Sequence, residues 1–340
     1  MSSETPNTSR LITRRKALCA AGALLAAGAT SLNALGSAET AENASNDRPL
    51  GPETGETAQK LKVATCQFPV SANPRENAAS IEGFMRDAAR QGAHLLHTSE
   101  ASLSGYPEAD MPSFDGYDWD TLRKETSRLR ALAKELNLWL ALGSSHYLDA
   151  ETKPTNCIYL IDPSGAIVDR YDKSFCTTGD QAHYSAGSRL VTREIRGVKI
   201  GLAICYDVAW PQLYIAYREL GATVMIHSFY NAHGTGSNCL DVLDRRLAPT
   251  RCSDNRMWAV CNNSSRYLSH WGTFIARPDG TIPKELAVNV PGMLIHDFPD
   301  TLSANGWYHN FKPMGMRDDE IMTWGTPSNH PRQVDGRSEP

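Results

Sequence analysis

The sequence predicts an α/β protein in which two mixed β-sheets are flanked by helices. Apolar runs of strand length alternate with segments whose apolar residues recur at helical spacing, a pattern typical of α/β proteins. Two strand–helix–strand series occur, each flanked by hairpin signals. One domain over residues 61–300 accounts for all of these elements.

The first series brings two polar residues to strand ends. A strand over 93–99 ends at Glu100, and a hairpin that turns at Asp162–Gly165 ends at Lys173. The predicted elements of this series are a strand at 61–68, a helix at 77–90, a strand at 93–99, a helix at 119–137, a strand at 138–145 and a hairpin within 157–172.

The second series contains a strand that ends at a cysteine. The apolar run 198–204 precedes Cys205, and the helix that follows starts at Pro211 and stops before Gly221. The remaining predicted elements are a strand at 223–228, a helix at 238–255, a strand at 257–262, a hairpin turning at 277–280 and a strand at 292–298.

The composition argues against one class of partner. The chain has 340 residues, of which 41% are hydrophobic and 21% charged, as in ordinary globular proteins. Its formal net charge is −4, and it has no basic patch interleaved with aromatic residues. We therefore expect no nucleic-acid partner.

The amino-terminal residues predict export. Arg14 and Arg15 precede a weakly apolar run at 17–35, and small residues follow at 36–38. This pattern indicates a cleavable twin-arginine signal over 1–38, with the twin-arginine translocase as partner during export. An alanine-rich amphipathic leader or a lone membrane helix is the alternative, but the run is too weakly apolar for a stable membrane span of roughly 20 residues.

The predicted signal also sets the expected cellular location, and the sequence on either side of the globular domain sets the remaining segment boundaries. We expect a periplasmic or secreted protein without a membrane anchor after cleavage, a flexible linker over 39–60 and a carboxyl-terminal extension over 301–340.

The number and spacing of the cysteines bear on disulfides, thiol-redox chemistry and metal binding. The chain has eight, and loss of Cys19 with the signal leaves an odd number, so at least one thiol stays free of disulfides. The sequence has no CxxC motif and no Cys/His cluster at metal-ligand spacing, which disfavours a thiol-redox role and a metal site.

Glu100, Lys173 and Cys205 each follow an apolar strand, where α/β proteins place reacting groups. The strand–turn–helix around Cys205 is similar to a nucleophile elbow. A nearby helix amino terminus favours a thiolate, and the backbone N–H of Tyr206 is placed to hydrogen-bond an oxyanion.

Five sequence blocks carry a more specific resemblance. In chain order they are TSEASLSGYP, RYDKSF, KIGLAICYDVAWPQ, RCSDNRMWAVCNN and WGTFIARPDGTI. Together they resemble the nitrilase superfamily of carbon–nitrogen hydrolases over nearly the whole globular chain. The resemblance implies an αββα sandwich that pairs across a homodimer, or a higher homo-oligomer, into a four-layer body.

The resemblance also implies roles for matched residues, without a metal or an organic cofactor. Glu100 corresponds to the general base and later acid, Lys173 to the cation near the oxyanion, and Cys205 to the nucleophile. Asp180 stands where a further glutamate is usual, as a possible auxiliary acid. Ser99 stands where proline is common.

Four aromatic residues lie near the predicted strand ends. Each of them either lines a substrate pocket or packs in the core; they are Tyr106, Trp210, His227 and Tyr230.

We therefore expect an amidase-type hydrolase that acts on a small amide or carbamoyl compound. The Cys-Tyr-Asp sequence at Cys205 resembles the amidase and carbamoylase branches, whereas true nitrilases more often carry Cys-Trp-Glu. A nitrilase acting on a nitrile is the nearest alternative, and a non-catalytic exported binding protein that keeps the fold is another.

Overall fold

Two six-stranded sheets flanked by helices make up the described part of the chain, which confirms the predicted fold class. The structure, a computed structural model, describes residues 60–231, 239–299 and 336. The strands are β1 Lys60–Gln67, β2 Leu95–His97, β3 Trp139–His146, β4 Thr155–Ile161, β5 Ile167–Asp172, β6 Thr192–Ile195, β7 Val198–Ile204, β8 Val224–Ser228, β9 Trp258–Asn262, β10 Phe274–Ala276, β11 Lys284–Glu285 and β12 Gly292–Pro299. The helices are α1 Pro74–Arg90, α2 Trp119–Leu136, α3 Thr178–His183, α4 Pro211–Glu219 and α5 Cys239–Asn255.

The two sheets repeat one strand arrangement. The first has the order β12-β1-β2-β3-β4-β5, and the second has the order β6-β7-β8-β9-β10-β11 when read from the opposite end. In each sheet the second, third and fourth strands are parallel, and the other neighbours pair antiparallel. Glu100 follows a parallel strand of the first sheet, and Cys205 follows a parallel strand of the second.

Helix ends follow recognisable capping chemistry. Asn73 caps α1 by accepting from the Arg75 N–H, and Pro74 occupies the first turn, where its missing N–H costs nothing. Asn137 ends α2 in the left-handed conformation at φ 51°. The apolar periodicity of α1 begins only at residue 77, because its capped first turn is polar, so the predicted start was three residues late.

The core has two layers. Side chains from both sheets share one buried cluster, with Val63, Leu95 and Ile158 from the first sheet beside Leu202 and Ile226 from the second. The other face of the first sheet packs against α1 and α2 in a second cluster. Each fully buried aliphatic side chain contributes about 1.5–3 kcal/mol of transfer free energy, so this packing dominates the stability.

A buried polar group of four residues joins the two sheets at the carboxyl ends of their parallel strands. This inter-sheet seam consists of Thr65, His97, Ser228 and Asn262. The Asn262 amide donates to Thr65 Oγ1 at 2.6 Å, and His97 Nε2 lies 2.8 Å from Ser228 Oγ. Burial lowers the pKa of His97 to about 3, so its ring is neutral at physiological pH. The seam holds the two sheets in one register.

Two short elements differ from the sequence prediction. Helix α3 and strand β6 lie in a stretch for which no element was predicted. Neither is long enough to show apolar periodicity, since they have six and four residues.

Several predictions fall outside the described residues. They are the signal over 1–38, the linker over 39–60 apart from Lys60, and the extension over 301–340 apart from Gly336. The dimeric layering also stays a prediction. In the part of the chain that the structure describes, no helix combines the length and the apolarity needed to cross a bilayer.

Candidate active site

Glu100 is buried just beyond β2, at a point where the two sheets meet. Its backbone N–H donates to the Phe229 carbonyl after β8 at 3.2 Å. Its carboxylate Oε1 accepts from Lys173 Nζ at 2.8 Å and from the Asn156 amide at 2.7 Å. The second oxygen, Oε2, has no hydrogen-bond partner among the described residues. Burial raises the pKa of Glu100 above its usual value. One oxygen is therefore anchored, and the other can exchange a proton.

Lys173 is completely buried directly after β5. Its backbone N–H donates to the Asn156 carbonyl at 2.8 Å, which holds the segment against β4. Its ammonium group lies 2.8 Å from Glu100 Oε1 and 2.7 Å from Asp180 Oδ2. Burial alone would lower the pKa of Lys173, but the Asp180 and Glu100 carboxylates hold it well above its usual value. The ammonium therefore stays charged.

Asp180 reaches Lys173 from α3. Thr177 and Asp180 form a capping box, in which the Thr177 backbone N–H donates to Asp180 Oδ2 at 2.8 Å. The Tyr106 hydroxyl donates to Asp180 Oδ1. Burial would raise the pKa of Asp180, but Lys173, Tyr106 and the Thr177 N–H outweigh burial and lower it. The predicted auxiliary acid thus lies against the lysine as a carboxylate.

Cys205 occupies the turn after β7. Its φ of 45° is left-handed, a conformation that costs a non-glycine residue about 1–3 kcal/mol and often marks functional turns. A 3₁₀ turn over Cys205–Ala209 separates β7 from α4, so the chain does not pass from the cysteine straight into the α-helix. The Tyr206 N–H is in the first turn, where N–H groups lack intrahelical partners.

The cysteine shares the electrostatic environment of the other predicted residues. Cys205 is 8% exposed, and its sulfur contributes to the raised pKa of both Lys173 and Tyr106. The structure therefore places Glu100, Lys173 and Asp180 in direct contact, and Cys205 lies close enough to influence Lys173 electrostatically, although these residues come from elements far apart along the chain.

The four predicted pocket aromatics occupy different surroundings. Tyr106 stacks on Tyr230 with ring centroids 5.2 Å apart, and Trp210 stacks on Phe175 at 4.7 Å. His227 is completely buried, with Nε2 3.2 Å from the Cys205 carbonyl oxygen. Burial lowers the pKa of His227 to about 3, so a neutral imidazole supports the cysteine turn from the interior.

Sequence reasoning missed two residues that organise this region. Asn156 lies in β4, one residue before the predicted hairpin, and its polar side chain in an apolar strand was the available signal. Asp207 has a fully buried carboxylate two residues after Cys205. It was visible only as part of the Cys-Tyr-Asp sequence.

The described residues also contain other thiols and show no metal cluster. Five buried thiols besides Cys205 lie in the interior: Cys66, Cys157, Cys176, Cys252 and Cys261. Within residues 60–231 and 239–299, no three His, Cys, Asp or Glu side chains are grouped so that they could hold a metal ion.

Comparison with known proteins finds relatives across most of the chain. The model of the carbon–nitrogen hydrolase family matches residues 62–304. Deaminated glutathione amidase of Homo sapiens is 27% identical over 240 residues, which cover 63% of this chain and 72% of that protein. An omega-amidase of Homo sapiens is 24% identical over 236 residues, covering 65% of this chain and 83% of that protein.

Solved structures show the same fold. An amidase from Nesterenkonia sp. superposes with a TM-score of 0.63 at 23% identity, covering 72% of this chain and 92% of that one. A variant of the Nesterenkonia sp. AN1 amidase carries the acetamide moiety of fluoroacetamide covalently added at its active-site cysteine.

Proposed function

The chain belongs to the carbon–nitrogen hydrolase family, and on that basis we propose that it hydrolyses a small non-peptide amide or carbamoyl compound through a thioester on Cys205. One observation carries the proposal. A buried lysine is held by two carboxylates, and one of these, Glu100, keeps an oxygen without a hydrogen-bond partner among the described residues. The amidase relatives and the covalently modified cysteine of the Nesterenkonia amidase support it.

The first half of the reaction cleaves the carbon–nitrogen bond. Glu100 Oε2 takes the proton of the Cys205 thiol, and the sulfur attacks the carbonyl carbon. The tetrahedral intermediate collapses with loss of the C–N bond, and Glu100 returns the proton to the departing nitrogen. An amide nitrogen leaves poorly unless it is protonated, so the raised pKa of Glu100 suits this step. Ammonia or an amine departs, and a thioester remains.

The second half hydrolyses the thioester. Glu100 takes a proton from water as the water oxygen attacks the acyl carbon. The C–S bond breaks, the acid departs and the proton returns to the Cys205 sulfur. One carboxyl group thus alternates between base and acid in both halves.

Lys173 and the Tyr206 N–H stabilise the oxyanion that forms in each half. A donor already oriented toward developing negative charge needs no rearrangement during the reaction. Asp180 keeps Lys173 charged and in position, so that Glu100 need not remain ionised to do so. This arrangement lets Glu100 gain and lose its proton beside a permanently charged lysine.

Ammonia release tests the proposal. The mature protein is incubated with a panel of small amides, carbamoyl compounds and nitriles, beside Cys205→Ala. We expect release from an amide or carbamoyl compound by the wild type and none by the variant. Release from nitriles alone would identify a nitrilase. Silence of both proteins, with Cys205 alkylated no faster than a free thiol, would favour a binding protein that keeps the fold.

Export is a separate part of the proposal. The arginine pair before the weakly apolar run supports passage through the twin-arginine translocase to the periplasm or beyond. Replacing both residues, Arg14→Lys with Arg15→Lys, should leave uncleaved precursor in the cytoplasm. Normal export of the double variant would contradict this route.

A further inference from the structure

Asp207 belongs to the turn over Cys205–Ala209 and has a buried carboxylate that no step of the proposed reaction uses. Its oxygens accept hydrogen bonds from two chain segments. Oδ2 accepts from the Ile204 backbone N–H at 2.8 Å, and Oδ1 accepts from the Phe175 backbone N–H at 2.9 Å. The Tyr171 hydroxyl also donates to Oδ2, at 2.7 Å.

The two segments carry different reacting groups. Ile204 directly precedes Cys205 in the second sheet, whereas Phe175 lies two residues after Lys173 in the segment that leaves the first sheet. The carboxylate therefore joins the segment that bears the sulfur to the segment that bears the ammonium. The two backbone hydrogen bonds end on different oxygens of Asp207. Both can therefore form only while both oxygens are acceptors.

We propose that Asp207 is a positioning residue that fixes the Cys205 turn against the Lys173 segment, so that sulfur, ammonium and the Glu100 carboxylate stay aligned. The inference rests on the proposed role of Cys205 as nucleophile. Asp207 itself touches none of the reacting atoms in this account. It acts through the main chain at Ile204 and Phe175.

The chemistry of a carboxylate suits this task. Two backbone N–H groups that approach from different directions need two acceptor oxygens, and an amide has only one. Burial raises the pKa of Asp207 to about 6, and the three donors and Lys173 oppose that rise, so the group is ionised at pH 7.5. Bonds from neutral donors to an ionised acceptor are also stronger than those to a neutral one.

Alkylation of Cys205 tests the inference without any substrate. Full-length mature protein is treated with iodoacetamide at pH 7.5 and 25 °C, and mass spectrometry follows the Cys205 peptide. In Asp207→Asn, one backbone N–H faces an NH₂ group instead of an acceptor. We expect Cys205 to be alkylated at least tenfold more slowly than in the wild type. Once a substrate is known, kcat should fall at least tenfold, with KM within about threefold.

A matched pair of tyrosine variants provides the control and a milder test. Tyr171→Phe removes a donor to Asp207, whereas Tyr217→Phe removes an equally buried hydroxyl that donates to the Leu202 carbonyl. We expect about threefold slower alkylation in Tyr171→Phe and a rate within 1.5-fold of the wild type in Tyr217→Phe. Comparable melting temperatures would show that lost folding does not explain the difference.

Two results would overturn the inference. One is a folded Asp207→Asn protein whose Cys205 reacts within twofold of the wild-type rate. If that variant does not fold, the second result decides: Cys205 is alkylated as fast in Tyr171→Phe as in Tyr217→Phe. Because alkylation needs no amide, a wild type that fails to hydrolyse the substrate panel would count against the proposed function and leave this comparison intact.

Discussion

Replacing Asp180 by asparagine should remove a negative charge beside Lys173 while keeping the side chain at nearly the same size and shape. Lys173 Nζ has carboxylate partners at 2.8 and 2.7 Å, and all three side chains are at most 1% exposed. Removing one partner of a buried ion pair costs about 3–5 kcal/mol. Because Glu100 still contacts the ammonium, we expect the lower end, about 3 kcal/mol, in the free energy of unfolding.

The same change should alter catalysis in a defined direction. The negative charge of Asp180 helps raise the pKa of Glu100, so its removal lowers that pKa and leaves a weaker base bound more tightly to Lys173. We expect kcat/KM to fall about 10²-fold, equivalent to about 2.7 kcal/mol. The acid limb of the pH–kcat/KM profile should move to lower pH, since it reports the ionisation of Glu100.

Urea unfolding and a pH–rate profile on the best amide of the panel measure both effects. Asp180→Glu is the matched control, because it keeps the negative charge and changes only the length of the side chain; its kcat/KM should stay within about tenfold of the wild type. An Asp180→Asn protein with kcat/KM within threefold of the wild type and an unmoved acid limb would refute this account of the lysine site.

Three further changes probe other parts of the site. Glu100→Gln should lower kcat by about 10²–10⁴-fold, because both formation and hydrolysis of the thioester need this proton carrier; a normal turnover rate would exclude Glu100 from that role. Gly143→Ala should destabilise the protein by about 1–3 kcal/mol and reduce activity, because its Cβ would lie 1.9 Å from the Ser99 carbonyl oxygen next to Glu100. Gly83→Ala in α1 is its control: a Cβ there meets nothing within 4 Å, so thermal melting should show unchanged or higher stability. Asn262→Ala should lower the free energy of unfolding by about 1–3 kcal/mol, because it leaves buried acceptors of the seam unpaired. The melting temperature should fall by about 2–10 °C. An unchanged melting temperature would mean that the seam adds no stability.

The regular elements were the most predictable part of the structure. The apolar run between Gly197 and Cys205 predicts β7 to the residue, because strand-forming side chains are bounded on both sides. The ends of β2 were less predictable. The sequence pattern predicts a strand over 93–99, but the ladder covers only Leu95–His97, because the chain then turns and its backbone at Ser99 and Ala101 passes close to Gly143.

The reacting residues of the site could be predicted from the sequence, but the hydrogen bonds that hold them in place could not. Glu100, Lys173 and Cys205 follow strands and lie in recognisable blocks, so they could be named from the sequence. Asp207 could not be given a role, because its partner Phe175 lies 32 residues away and no local pattern reports such a contact. Helix α3 was too short for periodicity, although the Thr177–Asp180 capping pair was a usable local signal.

The seam has a consequence for how the protein loses activity. Glu100 and Lys173 belong to one layer and Cys205 to the other, and Asn262 and Ser228 bridge the layers at that end. A slip of one layer past the other by a single strand residue, roughly 3.3 Å, would pull sulfur and carboxylate out of reach with every strand and helix still formed. Warming should therefore silence the enzyme before far-ultraviolet circular dichroism changes, as the two layers lose their mutual alignment.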